Sequence, residues 1–179
     1  MSRIGRLPVA LSAGVEVKIE AGNKVTVKGP KGELTHQFPV FLTIEEKDNH
    51  IYVTRSSEAK SVKAAHGMTR AIIHNMVTGV ATPFTKVLEI VGVGYQAKLA
   101  GKELTLMLGG VKPVVLTVPD DVTVSLESPT AIVVTGCDKQ RVGQFADLIK
   151  KKKLPDAYHG TGIRYRGETI HLKVGKSGM

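Results

Sequence analysis

The sequence predicts an α+β protein of two tandem related domains, each an antiparallel sheet with one long helix packed on it, followed by a basic, glycine-rich C-terminal extension. Three observations predict this. Strand-like alternation fills two stretches, 15–54 and 86–135, and each runs into a single stretch of helical spacing. The two stretches echo one another at a roughly constant offset: Val25-Thr26-Val27 answers Leu104-Thr105-Leu106, Phe38-Pro39 answers Val118-Pro119, and Ile51-Tyr52-Val53-Thr54 answers Ile132-Val133-Val134-Thr135. The charge is concentrated at one end. Residues 150–179 hold eight of the 25 Lys and Arg but only two of the 16 Asp and Glu.

In chain order, Val15, Val17 and Ile19 alternate with Glu16, Lys18 and Glu20, the period-two signature of a strand with one wet face. Gly22-Asn23 turns the chain into a second strand at Val25–Val27, and Gly29-Pro30-Lys31-Gly32 turns it into a third at Glu33–Phe38. Leu42–Glu46 and Ile51–Thr54 follow, separated by Asp48-Asn49, so the first half reads as an antiparallel meander. Ser56-Ser57 offers a helix cap. Beyond it Val62, Ala65, Thr69, Ile72, Ile73, Met76 and Val80 recur at three-and-four spacing, with Lys60, Lys63, Arg70 and His74 on or near the other face as a solvated surface. Gly79 and Pro83 close the helix, and the domains join near 81–84.

The second half repeats the plan. Lys86–Tyr95 is strand-like, Ala100-Gly101-Lys102 turns, and strands are expected at Leu104–Leu106, Val114–Val118, Val122–Leu126 and Ile132–Thr135. Asp138 offers a cap for a second helix whose stripe is Val142, Phe145, Ala146 and Ile149, and the lysine run Lys150–Lys153 closes it, favourably placed against the helix dipole. The expected divisions are 1–82, 83–154 and 155–179.

Composition narrows the function. A net charge of +9 and a pI near 9.7 call for an anionic partner, nucleic acid or an acidic membrane surface. One cysteine, Cys137, rules out an intramolecular disulfide framework, and the six histidines form no pair at metal-ligand spacing. Cys137 reads as a small filler at a strand end rather than a nucleophile. The apolar run after Arg3 and Arg6 is interrupted by Pro8 and stops at Glu16, unlike a signal peptide, and no run approaches a membrane span, so a cytoplasmic location is expected.

Two glycine patterns invite a nucleotide reading and fail it. Gly92-Val93-Gly94-Tyr95-Gln96-Ala97 has the dinucleotide spacing, but strand signal rather than a helix follows, so these glycines suit a bulge or a close backbone approach. Gly162 to Thr169 has the outline of a phosphate loop, with Glu168 where a lysine is required. No cofactor, metal or small-molecule substrate is expected.

The basic end instead suits folded RNA. Lys150, Lys151, Lys152, Lys153, Arg164, Arg166, Lys173 and Lys176 are candidate phosphate contacts, since lysine neutralises phosphate and arginine can fork onto two of its oxygens. Gly160 and Gly162 would let the backbone close in, and Arg3 and Arg6 form a secondary group. Tyr158 and Tyr165 serve either to stack on a base or ribose or to pack; His159 sits among them. With no tryptophan and four residues each of Phe and Tyr, the chain lacks the aromatic display of a single-strand stacker, so shape and phosphate are the expected readout. Two other classes compete. A nucleic-acid enzyme needs a nucleophile, base or metal cluster the chain does not display, and an anionic-membrane module needs a basic amphipathic helix with exposed large apolar residues.

Pro155-Asp156-Ala157-Tyr158-His159-Gly160-Thr161-Gly162-Ile163-Arg164-Tyr165 resembles the C-terminal signature of the bacterial large-subunit ribosomal protein L-six family. Ser2-Arg3-Ile4-Gly5 with Pro8, Val27 to Leu34 (VKGPKGEL) and Leu88 to Tyr95 (LEIVGVGY) resemble the same family in the same order. The resemblance implies two related α+β domains, no enzymatic activity, and a second domain and tail docked on large-subunit ribosomal RNA near the sarcin-ricin loop and the translation-factor site. It also implies neighbouring ribosomal proteins as partners, with translation factors nearby, and makes the glycines at 92 and 94 part of a second-domain strand. The sequence departs from the family pattern at His159, Thr161, His171 and Leu172, where relatives are more basic.

Overall fold

The computed structural model describes residues 4–110 and 112–175. The chain divides into two compact units, one formed by Met1–Pro83 with the short piece Cys137–Lys139, the other by Phe84–Gly136 with Gln140–Met179.

In the first unit a single 3-10 turn, Ile4–Arg6, leads into β1 (Val9–Ala10), β2 (Glu16–Glu20), β3 (Lys24–Gly29), β4 (Gly32–Gln37), β5 (Leu42–Lys47), β6 (His50–Arg55) and helix α1 (Lys60–Ala81). All pairings are antiparallel, but the expected single meander is two sheets, β2-β3-β4 and β1-β6-β5. The break falls at Phe38–Phe41, where Pro39 supplies no ladder donor. Asn23, at φ 62°, ties the sheets together by donating its side-chain amide to the carbonyls of Pro39 (2.8 Å) and Leu42 (2.6 Å). Asp48 and Asn49 both have positive φ, as the tight two-residue hairpin between β5 and β6 demands. Val25, Val27, Ile51 and Val53 from the central strands meet Ile73, Met76, Val77 and Val80 of α1 in one apolar core.

Helix α1 begins two residues later than Ser57 would place it. Its N-cap is Ala59, which makes no side-chain cap bond; the Ser57 hydroxyl instead accepts the Ala59 N–H at 3.3 Å outside the helix. The helix runs through Gly79 and ends before Pro83. Two of its polar residues bond back to the rest of the unit. His66 is buried, donating from Nε2 to the Val53 carbonyl (2.8 Å) and accepting at Nδ1 from Arg55 (2.8 Å). Arg70 donates to the carbonyls of Leu7 (3.1 Å) and Pro8 (3.0 Å), anchoring the chain just before β1.

The second unit contains β7 (Phe84–Val91), β8 (Gln96–Ala100), β9 (Glu103–Met107), β10 (Val114–Thr117), β11 (Thr123–Ser128), β12 (Ala131–Gly136), α2 (Lys139–Lys151) and β13 (Gly162–Tyr165). Its sheets are β8-β9-β10 and β11-β12-β7-β13. The internal echo is structural: Val25 and Val27 on β3, and Leu104 and Leu106 on β9, are fully buried on the middle strands of their three-stranded sheets. Likewise Val9 pairs with Ile51 as Leu88 pairs with Ile132.

Strand β7 stops at Val91, four residues short of the expected end, because Gly92–Tyr95 turn the chain into β8, a strand the sequence pattern does not single out. No helix follows the glycines. A side chain at Gly92 would collide with the Tyr95 ring, whose atoms lie 2.5–2.8 Å from the position its Cβ would take. Cys137 is a free, half-buried thiol whose pKa burial pushes up, opposite to what nucleophilic duty requires.

Part of the segment expected to extend from the second domain is sheet. β13 pairs antiparallel with β7, Ile163 opposite Ile90, and the Ile163 side chain is wholly buried in the second core with Leu88, Ile132, Phe145 and Ile149. Among the described residues, no helix is long and apolar enough to cross a membrane.

Candidate nucleic-acid interface

The basic segment starts where α2 ends. The amides of Lys152 and Lys153 bond back to the carbonyls of Ile149 (3.1 Å) and Lys150 (3.2 Å), closing the helix with a tightened last turn. The chain then folds into a locked loop. Asp156 organises it: one carboxylate oxygen accepts the N–H groups of Tyr158 (3.0 Å) and His159 (2.8 Å), while its own amide donates to Thr161 (2.9 Å) and its carbonyl accepts from Gly160 (2.9 Å). The N–H groups of His159 and Tyr158 hold the Asp156 carboxyl below its ordinary range. The loop tip thereby presents Tyr158, 55% exposed, and His159.

Both candidate glycines are required by the backbone. Gly160 has φ +69°, a left-handed conformation that strains any other residue. At Gly162 an added Cβ would lie 2.6 Å from the Leu154 carbonyl oxygen and 2.8 Å from the Pro155 Cα, so two stretches of backbone touch there. This close approach is internal. The glycine lets β13 pass beneath Leu154-Pro155 and lets Ile163 donate to the Lys153 carbonyl at 2.8 Å.

The candidate cations fall into two groups. In the first, each has an acidic partner. Lys150 is largely buried and pairs with Glu168 at 2.5 Å, its ammonium 4.8 Å from the centre of the Tyr165 ring. The other Glu168 oxygen accepts the Tyr165 N–H at 2.9 Å, and the Lys150 ammonium, then this N–H, keep the Glu168 carboxyl below its ordinary pKa. Tyr165, half-buried, has its phenol pKa raised by burial and lies 5.6 Å from the Lys86 ammonium; it packs rather than projects. Lys151 pairs with Asp147 one helical turn back (2.8 Å). Arg164 lies 3.6 Å from Glu89 on the neighbouring strand, and Arg166 pairs with Glu127 (2.6 Å) and Glu89 (3.4 Å).

The second group comprises Lys152, Lys153 and Lys173. All three are exposed, and none has an acidic partner among the described residues. Lys173 is brought beside the loop by its amide, which donates to the Ala157 carbonyl at 2.7 Å. Arg6 lies in the 3-10 turn of the first unit, where it lines a pocket of about 320 Å³ with Leu7, Tyr52 and Arg55. Arg3 and Lys176 lie outside the described residues.

Sequence patterning missed the acids that hold these cations. Glu89 carries a signal, since it alternates with the buried Leu88 and Ile90 and therefore faces away from the core. Glu127 and Glu168 carry none, because their partners are 39 and 18 residues distant.

Two kinds of sequence similarity agree on this chain. The family model for Ribosomal protein L6 matches residues 11–82 and 91–166, one segment in each unit, the second reaching through β13. Similar proteins over nearly full length include Large ribosomal subunit protein uL6 of Lachnoclostridium phytofermentans, 51% identical over 178 residues (99% of both chains). The protein of the same name from Persephonella marina is 49% identical over 177 residues, covering 99% of this chain and 98% of its own, and that of Acidothermus cellulolyticus is 46% identical over 179 residues, 99% of both. The chain belongs to the ribosomal protein L6 family.

Proposed function

We propose that the protein is a structural, non-catalytic constituent of the large ribosomal subunit. It binds folded large-subunit ribosomal RNA through its second unit and C-terminal segment, close to the sarcin-ricin loop and the translation-factor site. The observation that carries this reading is that Lys152, Lys153 and Lys173 are exposed and unpaired among the described residues, on backbone that hydrogen bonds tie to the end of α2, to β13 and to the loop at 156–162. A fixed constellation of cations recognises a fixed arrangement of phosphates, whereas a mobile tail neutralises any polyanion. Tyr158 and His159 at the loop tip complete the surface with a stacking ring and a hydrogen-bonding imidazole.

The division of labour is correspondingly narrower than the number of cations suggests. Lys150 and Tyr165 hold the fold, Lys152, Lys153 and Lys173 meet phosphate, and Arg164 and Arg166 reach RNA only by leaving carboxylates. The site near translation factors follows from family resemblance, and neighbouring ribosomal proteins are further partners. Chemical crosslinking in purified large subunits tests the reading. Crosslinks from residues 152–173 to ribosomal RNA are expected; crosslinks from this stretch to protein alone would overturn it.

A further inference from the structure

The Arg166 guanidinium directs three of its five N–H donors at acids. Nε faces Glu89 at 3.4 Å, one terminal nitrogen faces Glu127 at 3.5 Å, and the other bonds Glu127 at 2.6 Å, a two-pronged grip. Arg164 shares Glu89 at 3.6 Å. Two guanidinium groups and two carboxylates thus form a stripe of zero net charge across β13, β7 and β11, with Glu127 reaching in from the irregularity between Leu126 and Ser128. The stripe is half open to solvent: Arg166 and Glu127 are 48% and 51% exposed.

A phosphate and a carboxylate offer arginine the same planar pair of acceptor oxygens, so one can replace the other without moving the guanidinium far. An ion pair this exposed is screened by water and salt, so a phosphate held in place at the guanidinium can displace the carboxylate, whereas one that touches it only in passing does not. We propose that Glu127, supported by Glu89, is a specificity-determining residue for RNA: it withholds Arg166 from arbitrary phosphates and yields it to the RNA surface that the neighbouring lysines have already placed. Non-cognate RNA, touching the lysines alone, finds a neutral stripe at the arginines. Cognate RNA brings a phosphate within reach of Arg166, whose amide just past β13 is tied to the Val87 carbonyl at 2.9 Å, and displaces the carboxylate. This rests on the proposed RNA binding and sharpens how it discriminates.

The test compares the intact protein with Glu127→Gln on two probes, a large-subunit RNA fragment and an unrelated RNA duplex, across a range of salt. Glu45→Gln serves as control, because it adds the same charge on an exposed strand of the first unit. For Glu127→Gln on the unrelated duplex, the salt slope should steepen by about 0.7–0.9, the yield of one more neutralised phosphate, equivalent to an extra threefold or so loss of affinity between 50 and 200 mM salt. On the large-subunit fragment the slope should hold, and the ratio of specific to non-specific affinity should fall. Glu45→Gln should leave both slopes in place. Equal changes on both probes, no change on either, or the same change from Glu45→Gln would overturn the role of Glu127 while leaving RNA binding intact. Absence of salt-dependent binding by the intact protein would overturn the RNA reading and this role together.

Discussion

The two units share one plan and differ at one edge. In the first, the strand beside β6 is β1, two residues long, and Arg70 takes up the carbonyls just before it. In the second, the equivalent β7 is eight residues long and accepts β13 on its far side. That added strand carries Arg164 and Tyr165 and is flanked by Lys153 and Arg166. The charge asymmetry of the chain is therefore built onto a sheet edge rather than hung from it, and the cations inherit the rigidity of the core through Ile163.

The largest way to break this comparison is Ile163→Ala. Removing a fully buried side chain from a packed core costs about 2–5 kcal/mol, and the loss should appear in hydrogen exchange at β7, β12 and β13 while β3 and β6 keep their protection. Equal loss in both units would mean that β13 is not a local element of the second. Next is Gly162→Ala, where the new methyl group meets backbone that cannot swing aside. A cost of about 1–3 kcal/mol is expected, read from the denaturant midpoint of the same unit. No such cost is expected for Gly143→Ala on α2, where the added carbon meets open space.

A smaller effect isolates the Lys150–Glu168 pair. The Glu168 carboxyl titrates below its ordinary 4.5 in the folded protein, so its contribution is complete above about pH 4.5 and is lost as pH falls through the folded value. Glu168→Gln should accordingly cost about 1 kcal/mol at pH 7 and progressively less as pH falls below the ordinary carboxylate range, measured as the shift in urea midpoint at each pH. A pH-independent difference would show that the charge of Glu168 plays no part.

Much of this was legible in the sequence. Period-two alternation located the strands at 16–20, 24–29, 42–47 and 50–55, and the second-unit counterparts of the last three, to within a few residues, and the offset echo located the repeat. Shorter strands escaped for physical reasons. Val9-Ala10 is too brief for a period, Gln96–Ala100 follows a glycine pattern that obscures its alternation, and Gly162–Tyr165 offers only Ile163 and Tyr165 as apolar positions amid glycine and arginine. Each is specified by a distant partner strand, which local composition does not encode. The same reason limited the site: a lysine run signals phosphate, but only the fold reveals that Lys150 faces Glu168 while Lys152 and Lys153 face water.

It follows that cutting the chain after Ile149 is a poor test of RNA binding, since it strips Ile163 from the core along with the cations. The most direct measurement is the salt dependence of binding to a large-subunit RNA fragment by the full chain and by a Lys152→Ala, Lys153→Ala, Lys173→Ala variant, with folding verified by hydrogen exchange. If the three lysines meet phosphate, the slope of log affinity against log salt should shallow by about 2–3, at roughly 0.7–0.9 for each phosphate no longer neutralised. An unchanged slope in the folded variant would contradict the assignment of RNA binding to this surface.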